Sequence, residues 1–186
     1  MEPWAAPVIV RAMSRLAVIV ATLALVALPA SAALAATLNG GPGPDHLVGT
    51  AAADRINGRG GDDMLEGGAG NDRITGARGN DRLVGGQGND RLVGGPGNDL
   101  LAGDAGRDTL IGGRGGDVLV GGAGNDHISA ATAGDAADVI VAGNGNDTVN
   151  ALDGSPDRIS CGPGRDSARA DRSDQIGRDC ERVRRG

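Results

Sequence analysis

The chain has 186 residues and a formal net charge of −6, with 35 Gly, no Phe, no Tyr and one Trp. That is too few aromatic side chains for a conventional globular core, where such residues dominate the buried area, and the length suggests one domain. Nearly all the acid is Asp and every basic residue is Arg. The negative balance argues against nucleic acid or an anionic membrane as the main partner, since both need clustered positive charge, and it suits a cation binder.

Residues 1–35 read as a leader. Arg11 and Arg15 precede an apolar run from Leu16 to Leu28, followed by Pro29 and two small-x-small exits, Ala30-Ser31-Ala32 and Ala33-Leu34-Ala35. A charged start, a short apolar centre and such an exit make a secretory signal peptide, here with cleavage expected after Ala35. The apolar run is shorter than the about 20 residues that a spanning helix needs, so no membrane span is expected after its removal and the rest of the chain is expected to be extracellular. Met13-Ser14-Arg15 offers an alternative start to Met1.

From Gly40 the chain falls into blocks of nine, among them GGAGNDRIT at 67–75, GGQGNDRLV at 85–93 and GGPGNDLLA at 94–102. Ten such blocks run without a gap to Ser129, each with Gly first, Asp sixth, and Leu or Ile eighth. Ala130-Ala131-Thr132 then breaks the register. The pattern returns with Asp138 and Ile140, Asp147 and Val149, and, after one extra residue, Asp157 and Ile159. A last block, CGPGRDSAR at 161–169, keeps Asp166 but has Ala168 in the apolar place. The organisation expected is therefore a leader over 1–35, repeats over 36–160 (regular over 40–129, degenerate over 130–160), and a final repeat with a cap over 161–186. A flexible Gly- and Asp-rich linker is the alternative. It does not account for Leu or Ile at each eighth place of 40–129, and is harder to set aside over 130–160.

These blocks resemble the haemolysin-type calcium-binding repeat, the RTX nonapeptide GGxGxDxUx. The resemblance implies an all-β fold: a right-handed parallel β-roll in which two blocks make one coil of strand, turn, strand and turn, about five to seven coils in all. It also implies calcium as ligand. Many relatives carry such repeats behind a toxin, protease or lipase domain and use a C-terminal export signal. This chain departs from that setting, with no recognisable catalytic or pore-forming domain and an N-terminal leader expected, so no toxin or protease function is carried over.

The residues support the same chemistry on their own. Positions 7–9 are short, often β-branched and apolar in the middle, so alternation along a strand turns position 8 inward. Positions 1–6 form a turn in which glycines supply left-handed backbone at little cost. In the two-block coil that the resemblance implies, with coils stacked about 4.8 Å apart, Asp residues 18 apart line up in two columns, and carboxylates at that separation repel by about 1 kcal/mol even in water. Calcium relieves this, since it takes six to eight oxygen ligands in flexible geometry, whereas Mg²⁺ demands tighter octahedral geometry. The expected ligands of several Ca²⁺ ions are Asp45, Asp63, Asp72, Asp81, Asp90, Asp99, Asp108, Asp117, Asp126 and Asp147. Asp54 lies in the degraded block GTAAADRIN and is left out. One buried Leu or Ile per nine residues returns less than ordering those residues costs, so ion binding is expected to drive folding.

Cys161 and Cys180 are the only cysteines. In an exported chain the pair reads first as a disulfide stapling the C-terminal cap, with free thiols or a partner-linking bridge as alternatives. Arg178, Arg182, Arg184 and Arg185 make the tail basic, either a solvated segment or a docking element. Val48, Val84, Val93, Ile111, Val120 and Val141 make position 9 apolar, either as a docking or self-association face or through ordinary strand propensity. His46 and His127 have no recognisable catalytic partner, and no GxSxG, HExxH, phosphate-loop or EF-hand pattern occurs. The expectation is a non-enzymatic, extracellular calcium-binding protein. Its partner is a cell surface or a second copy of itself, as in an adhesin or matrix component, and an unrecognised secreted hydrolase is a remote third reading.

Overall fold

A computed structural model describes residues 34–132 and 136–186. The expected leader lies outside the described residues except for Leu34 and Ala35. No helix among the described residues is long and apolar enough to cross a membrane.

Each block contributes one strand, and a full strand covers positions 7–9 together with positions 1–3 of the next block. In chain order these are β1 (Thr37–Asn39), β2 (His46–Val48), β3 (Arg55–Gly60), β4 (Met64–Ala69), β5 (Arg73–Arg78), β6 (Arg82–Gln87), β7 (Arg91–Pro96), β8 (Leu100–Ala105) and β9 (Thr109–Arg114). They continue as β10 (Val118–Ala123), β11 (His127–Ser129), β12 (Val139–Asn144), β13 (Thr148–Ala151), β14 (Arg158–Ser160), β15 (Ser167–Ala170), β16 (Gln175–Ile176) and β17 (Arg182–Arg185). Odd strands form a nine-stranded sheet and even strands an eight-stranded one, and all the pairings within them are parallel. The chain thus winds as a two-faced solenoid of about eight coils. That exceeds the five to seven expected, because the degenerate and C-terminal segments continue the winding.

The core is two files of side chains. One runs Leu65, Leu83, Leu101, Leu119, Ile140 and Ile159 along the even strands. The other runs Ile56, Ile74, Leu92, Leu110, Ile128, Val149 and Ala168 along the odd ones. All are buried. With one apolar layer per coil and no aromatic residue, each coil depends on its neighbours, as in other repeat arrays.

The corners depend on glycine where the chain turns left-handed or two coils touch. Gly106 has φ +135°, and a Cβ there would collide with the Gly88 carbonyl one coil earlier. Ala77 holds the second place of its block at φ 86°, a conformation that costs an L-residue roughly 1–2 kcal/mol.

The insertion does not break the solenoid. Ala130 takes the buried first place of its block, and the three extra residues lengthen the following corner. β12 returns in register on β10, pairing Ile140 with Leu119, so the described part of 130–160 is ordered coil. The C-terminal segment also winds on. β15 pairs β13 on one side and β17 on the other, and β16 extends the second sheet from β14. The Arg-rich tail, for which solvation or docking is expected, is the exposed last strand of the nine-stranded sheet.

Cys161 and Cys180 form the expected disulfide, 19 residues apart in sequence. Cys161 is buried in the core. Replacing both by Ser is expected to lower stability by about 3 kcal/mol, the entropy that a loop of this length removes from the unfolded chain. Urea unfolding of the oxidised protein against the double variant at fixed calcium checks this.

Candidate metal centre

Strand alternation places positions 6, 8 and 1 on the same side of the backbone. The sequence reading turned only position 8 inward, yet the described structure buries the sixth-place Asp with it. Asp63, Asp72, Asp81, Asp90, Asp99, Asp108, Asp117, Asp126 and Asp147 all have 3 % exposure or less, and so do Asp54, Asp138, Asp157 and Asp166. Only Asp45, in the first coils, is half-buried.

Backbone hydrogen bonds order these carboxylates into two ladders, one along each edge of the solenoid. Oδ1 of each Asp accepts the backbone N–H of the Asp one coil earlier, 18 residues back in the regular repeats, as from Asp81 to Asp99, from Asp90 to Asp108 and from Asp108 to Asp126, each at 2.8 Å. The ladders cross the insertion without a gap: Asp126 N–H donates to Asp147, and Asp147 N–H donates to Asp166, at 2.8 Å each.

Two residues that sequence reasoning missed end the ladders. Asp174 Oδ1 accepts from Asp157 at 3.0 Å, and Glu181 Oε2 accepts from Asp166 at 2.7 Å. Neither lies in a recognisable block, so no spacing signal pointed to them. A further ladder runs outside at position 5. Asn98 N–H donates to Asn80 Oδ1 and Asn89 N–H to Asn71 Oδ1, both at 2.8 Å. The recurrent Asn-Asp pair thus serves backbone order with its first residue and presents its second inward.

The other carboxylate oxygen is where a cation fits. Oδ2 of Asp63, Asp72, Asp81, Asp90, Asp99, Asp108, Asp126 and Asp147 is buried and accepts no hydrogen bond, and an orphaned buried carboxylate oxygen is costly without a positive partner. In all of these but Asp147 it faces the first-place glycine of its own block. A Cβ on Gly103 would lie 2.5 Å from Asp108 Oδ2 and 2.6 Å from the Gly121 carbonyl oxygen of the next coil. A Cβ on Gly85 would stand in the same way toward Asp90 Oδ2 and the Gly103 carbonyl oxygen, at 2.5 and 2.9 Å. The missing side chain therefore lets the carboxylate and the next coil's carbonyl close in on the glycine, a corner that gathers carboxylate and carbonyl oxygen, the donor set that a hard cation such as Ca²⁺ takes.

The fit varies along the coil. Asp45 Oδ2 accepts the Gly41 N–H at 2.5 Å. Asp54, omitted in the sequence reading, stands in the ladder, but its Oδ2 accepts from the Thr50 N–H at 2.5 Å and the Thr50 hydroxyl at 3.0 Å. Beyond Gly121 the first place is held by Ala130, Ala142, Ala151 and Cys161, all buried. The block of Asp147 therefore has Ala142 where the regular repeats have glycine. The donor set fits best from Asp63 to Asp126.

Without a cation, burial pushes the carboxyls of Asp63, Asp72, Asp90, Asp99, Asp108 and Asp147 up, the backbone hydrogen bond opposing it and repulsion from neighbouring rungs adding to it. Asp90, Asp99 and Asp147 reach about 6 and Asp108 about 7. Raised folded-state values mean that the folded coil binds more protons than the unfolded chain once pH exceeds about 4. The stability held by the protonated carboxyls is complete below that and is lost as pH rises through 6 to 7. The chelated protein is thus expected to hold more residual β-structure at pH 5 than at pH 8, and the calcium-saturated protein to melt in the opposite order. Circular dichroism in chelator and thermal melts in excess calcium at both values check this.

Comparison with known families agrees with this geometry. The family model described as the RTX calcium-binding nonapeptide repeat (4 copies) matches residues 39–74, 66–101, 75–110, 93–128, 102–135 and 132–155. No curated protein matches the chain.

Proposed function

The chain belongs to the RTX calcium-binding nonapeptide repeat family, and from that premise we propose that it is an extracellular, non-enzymatic protein whose coil is completed by Ca²⁺ and serves a structural or surface-interaction role. The observation that carries this reading is the column of buried, hydrogen-bond-free Oδ2 atoms set against first-place glycines. Asp63, Asp72, Asp81, Asp90, Asp99, Asp108, Asp117 and Asp126 are the proposed ligands, with turn carbonyl oxygens completing the shell. Each ion bridges neighbouring coils at a corner, neutralises the ladder and makes the winding favourable. Calcium is plentiful outside cells, so export through the leader and folding on arrival belong together in this reading. The disulfide, which forms in oxidising compartments, supports the same location.

Titrating Ca²⁺ into the 36–186 chain while following far-UV circular dichroism tests the proposal, with Mg²⁺ as control. A cooperative gain of β-signal with calcium and none with Mg²⁺ is expected. Full β-signal in excess chelator, unchanged by calcium, would sink it.

One observation favours self-association as the surface role. The outer face of the even sheet carries a contiguous apolar area where β8, β10 and β12 adjoin: Leu100, Val118 and Val139 at position 7, with Ala102, Val120 and Val141 at position 9. Val118, Val139 and Val141 are exposed. The odd sheet instead presents Arg55, Arg73 and Arg91 at position 7. Calcium-dependent sedimentation lost on Val118→Lys with Val139→Lys, with calcium binding retained, would support a self-associating matrix component. A monomer at all calcium levels would exclude it.

A further inference from the structure

The corner between β13 and β14 departs from the repeat pattern. Ala151 stands where the regular repeats have glycine, the turn is one residue longer, and it carries Asp153. Carboxylate oxygens of Asp138, Asp153 and Asp157 lie within 4.8 Å of one another. Asp138 and Asp157 are successive rungs of one ladder, the Asp138 N–H donating to Asp157 Oδ1 at 2.9 Å, whereas Asp153 comes from the turn. A second observation points to a ligand: Asp157 is 0 % exposed, and its Oδ2 accepts no hydrogen bond.

The geometry points to a separate cation site built by the side chains of Asp138, Asp153 and Asp157, which takes a divalent, oxygen-preferring cation, Ca²⁺ first. The inference rests on the reading of this coil as calcium-binding, and it adds a site whose construction differs. In the regular corners glycine lets one carboxylate and a backbone carbonyl close in together. Here Ala151 takes the first place, and a third carboxylate enters from the turn instead.

The turn is held in shape from outside the site. Asp153 Oδ1 accepts the Ser155 N–H at 2.7 Å. Asp171 Oδ2, one coil on, accepts the N–H groups of Asp153 at 2.9 Å and Gly154 at 2.7 Å. Three carboxylates, two from the ladder and one from a fixed turn, hold a cation more tightly than one, because charge count and rigidity set the affinity of oxygen-ligated calcium sites. An ion here ties the degenerate coil to its predecessor in the region where the glycine corners have ended, and it is the first to bind.

Equilibrium dialysis of Ca²⁺ on the full chain tests this with wild type, Asp153→Asn and Asp157→Asn. Each Asn keeps an oxygen for the hydrogen bond its Asp accepts, and circular dichroism in saturating calcium verifies the fold. Each variant is expected to bind one ion fewer per chain, lost from the tightest class, with the remaining ions bound as before. Hydrogen exchange over 151–160, slowed in wild type at the lowest effective calcium, stays fast in both. Wild-type counts and affinities in both variants would overturn the site while leaving the repeats as calcium binders. A wild type that binds no calcium at all would overturn the reading of the repeats and this site together.

Discussion

Asp108→Asn is expected to stabilise the protein in chelator at pH 8 and to weaken it as a calcium binder. Asp108 is 0 % exposed, its Oδ1 accepts the Asp90 N–H at 2.8 Å, and its Oδ2 accepts nothing. Burial, with the charges of Asp126, Asp90 and Asp104, pushes this carboxyl to about 7, so at pH 8 the metal-free coil must bury a charge that the unfolded chain solvates. Asn keeps the oxygen for Asp90 and removes the charge, and its amide group can donate toward the carbonyl-lined corner. The chelated variant should therefore hold more β-structure than chelated wild type and lose it at a higher temperature. With calcium the order reverses, because a divalent ion loses one of its charged partners, and affinity at that corner should fall by roughly tenfold or more. Asp108→Ala separates the two effects: it removes charge and acceptor together, leaves the Asp90 N–H unpaired at a cost of about 1–3 kcal/mol, and should destabilise both forms. Melting curves of the three proteins with and without calcium decide the matter. A metal-free Asp108→Asn that melts below wild type at pH 8 would count against the ladder as a store of uncompensated charge.

The largest loss of stability is expected from Leu101→Ala. Leu101 is 0 % exposed and stands in register between Leu83 and Leu119 in the middle of its file. Truncating a fully buried Leu costs about 2–5 kcal/mol, and here one apolar residue per strand supplies nearly all of a coil's core. The cavity also lies at an interface that couples the two halves of a linear array. At fixed saturating calcium the variant should unfold at lower temperature and in two steps, as the halves lose cooperativity. Leu47→Ala, in a terminal coil with 6 % exposure and Leu65 as its file neighbour, should cost less and keep one transition. Calorimetry with calcium held constant compares them. Equal, single-step losses from both positions would mean that stability is not distributed coil by coil.

Much of this architecture was legible in the chain itself, for physical reasons. The eighth-place Leu and Ile announced strands with one buried face, the nine-residue period announced stacking, and Asp with glycine announced corners that bring oxygen atoms together. The two cysteines announced their bridge. What was not legible lies where the period fails. The insertion after Ser129 hid the continuity of the register, which survives because a corner can lengthen without moving the strands on either side. Asp174 and Glu181 end the ladders from segments with no repeat pattern, since their side chains reach a position that spacing does not mark. Asp153 has no place in the repeat pattern, and only the turn brings it to Asp138 and Asp157.

The sequence by itself determined the period, the inward apolar file, the ligand type and the family, because each is a statement about neighbours along the chain or about side-chain chemistry. The structure bears out the two blocks per coil that the resemblance implies, but it alone decided how that winding divides the outer residues and packs the corners. Winding two blocks per coil sends alternate strands to opposite sheets, so the apolar ninth-place residues divide: Val84, Val120 and Val141 belong to one sheet, Val93 and Ile111 to the other. The same winding buries Asp63, Asp72, Asp90, Asp99, Asp108 and Asp126 beside the glycine of their own block and a carbonyl of the next coil. No linear reading could place those oxygens, because the distances that make a cation site are set between coils and not along the chain.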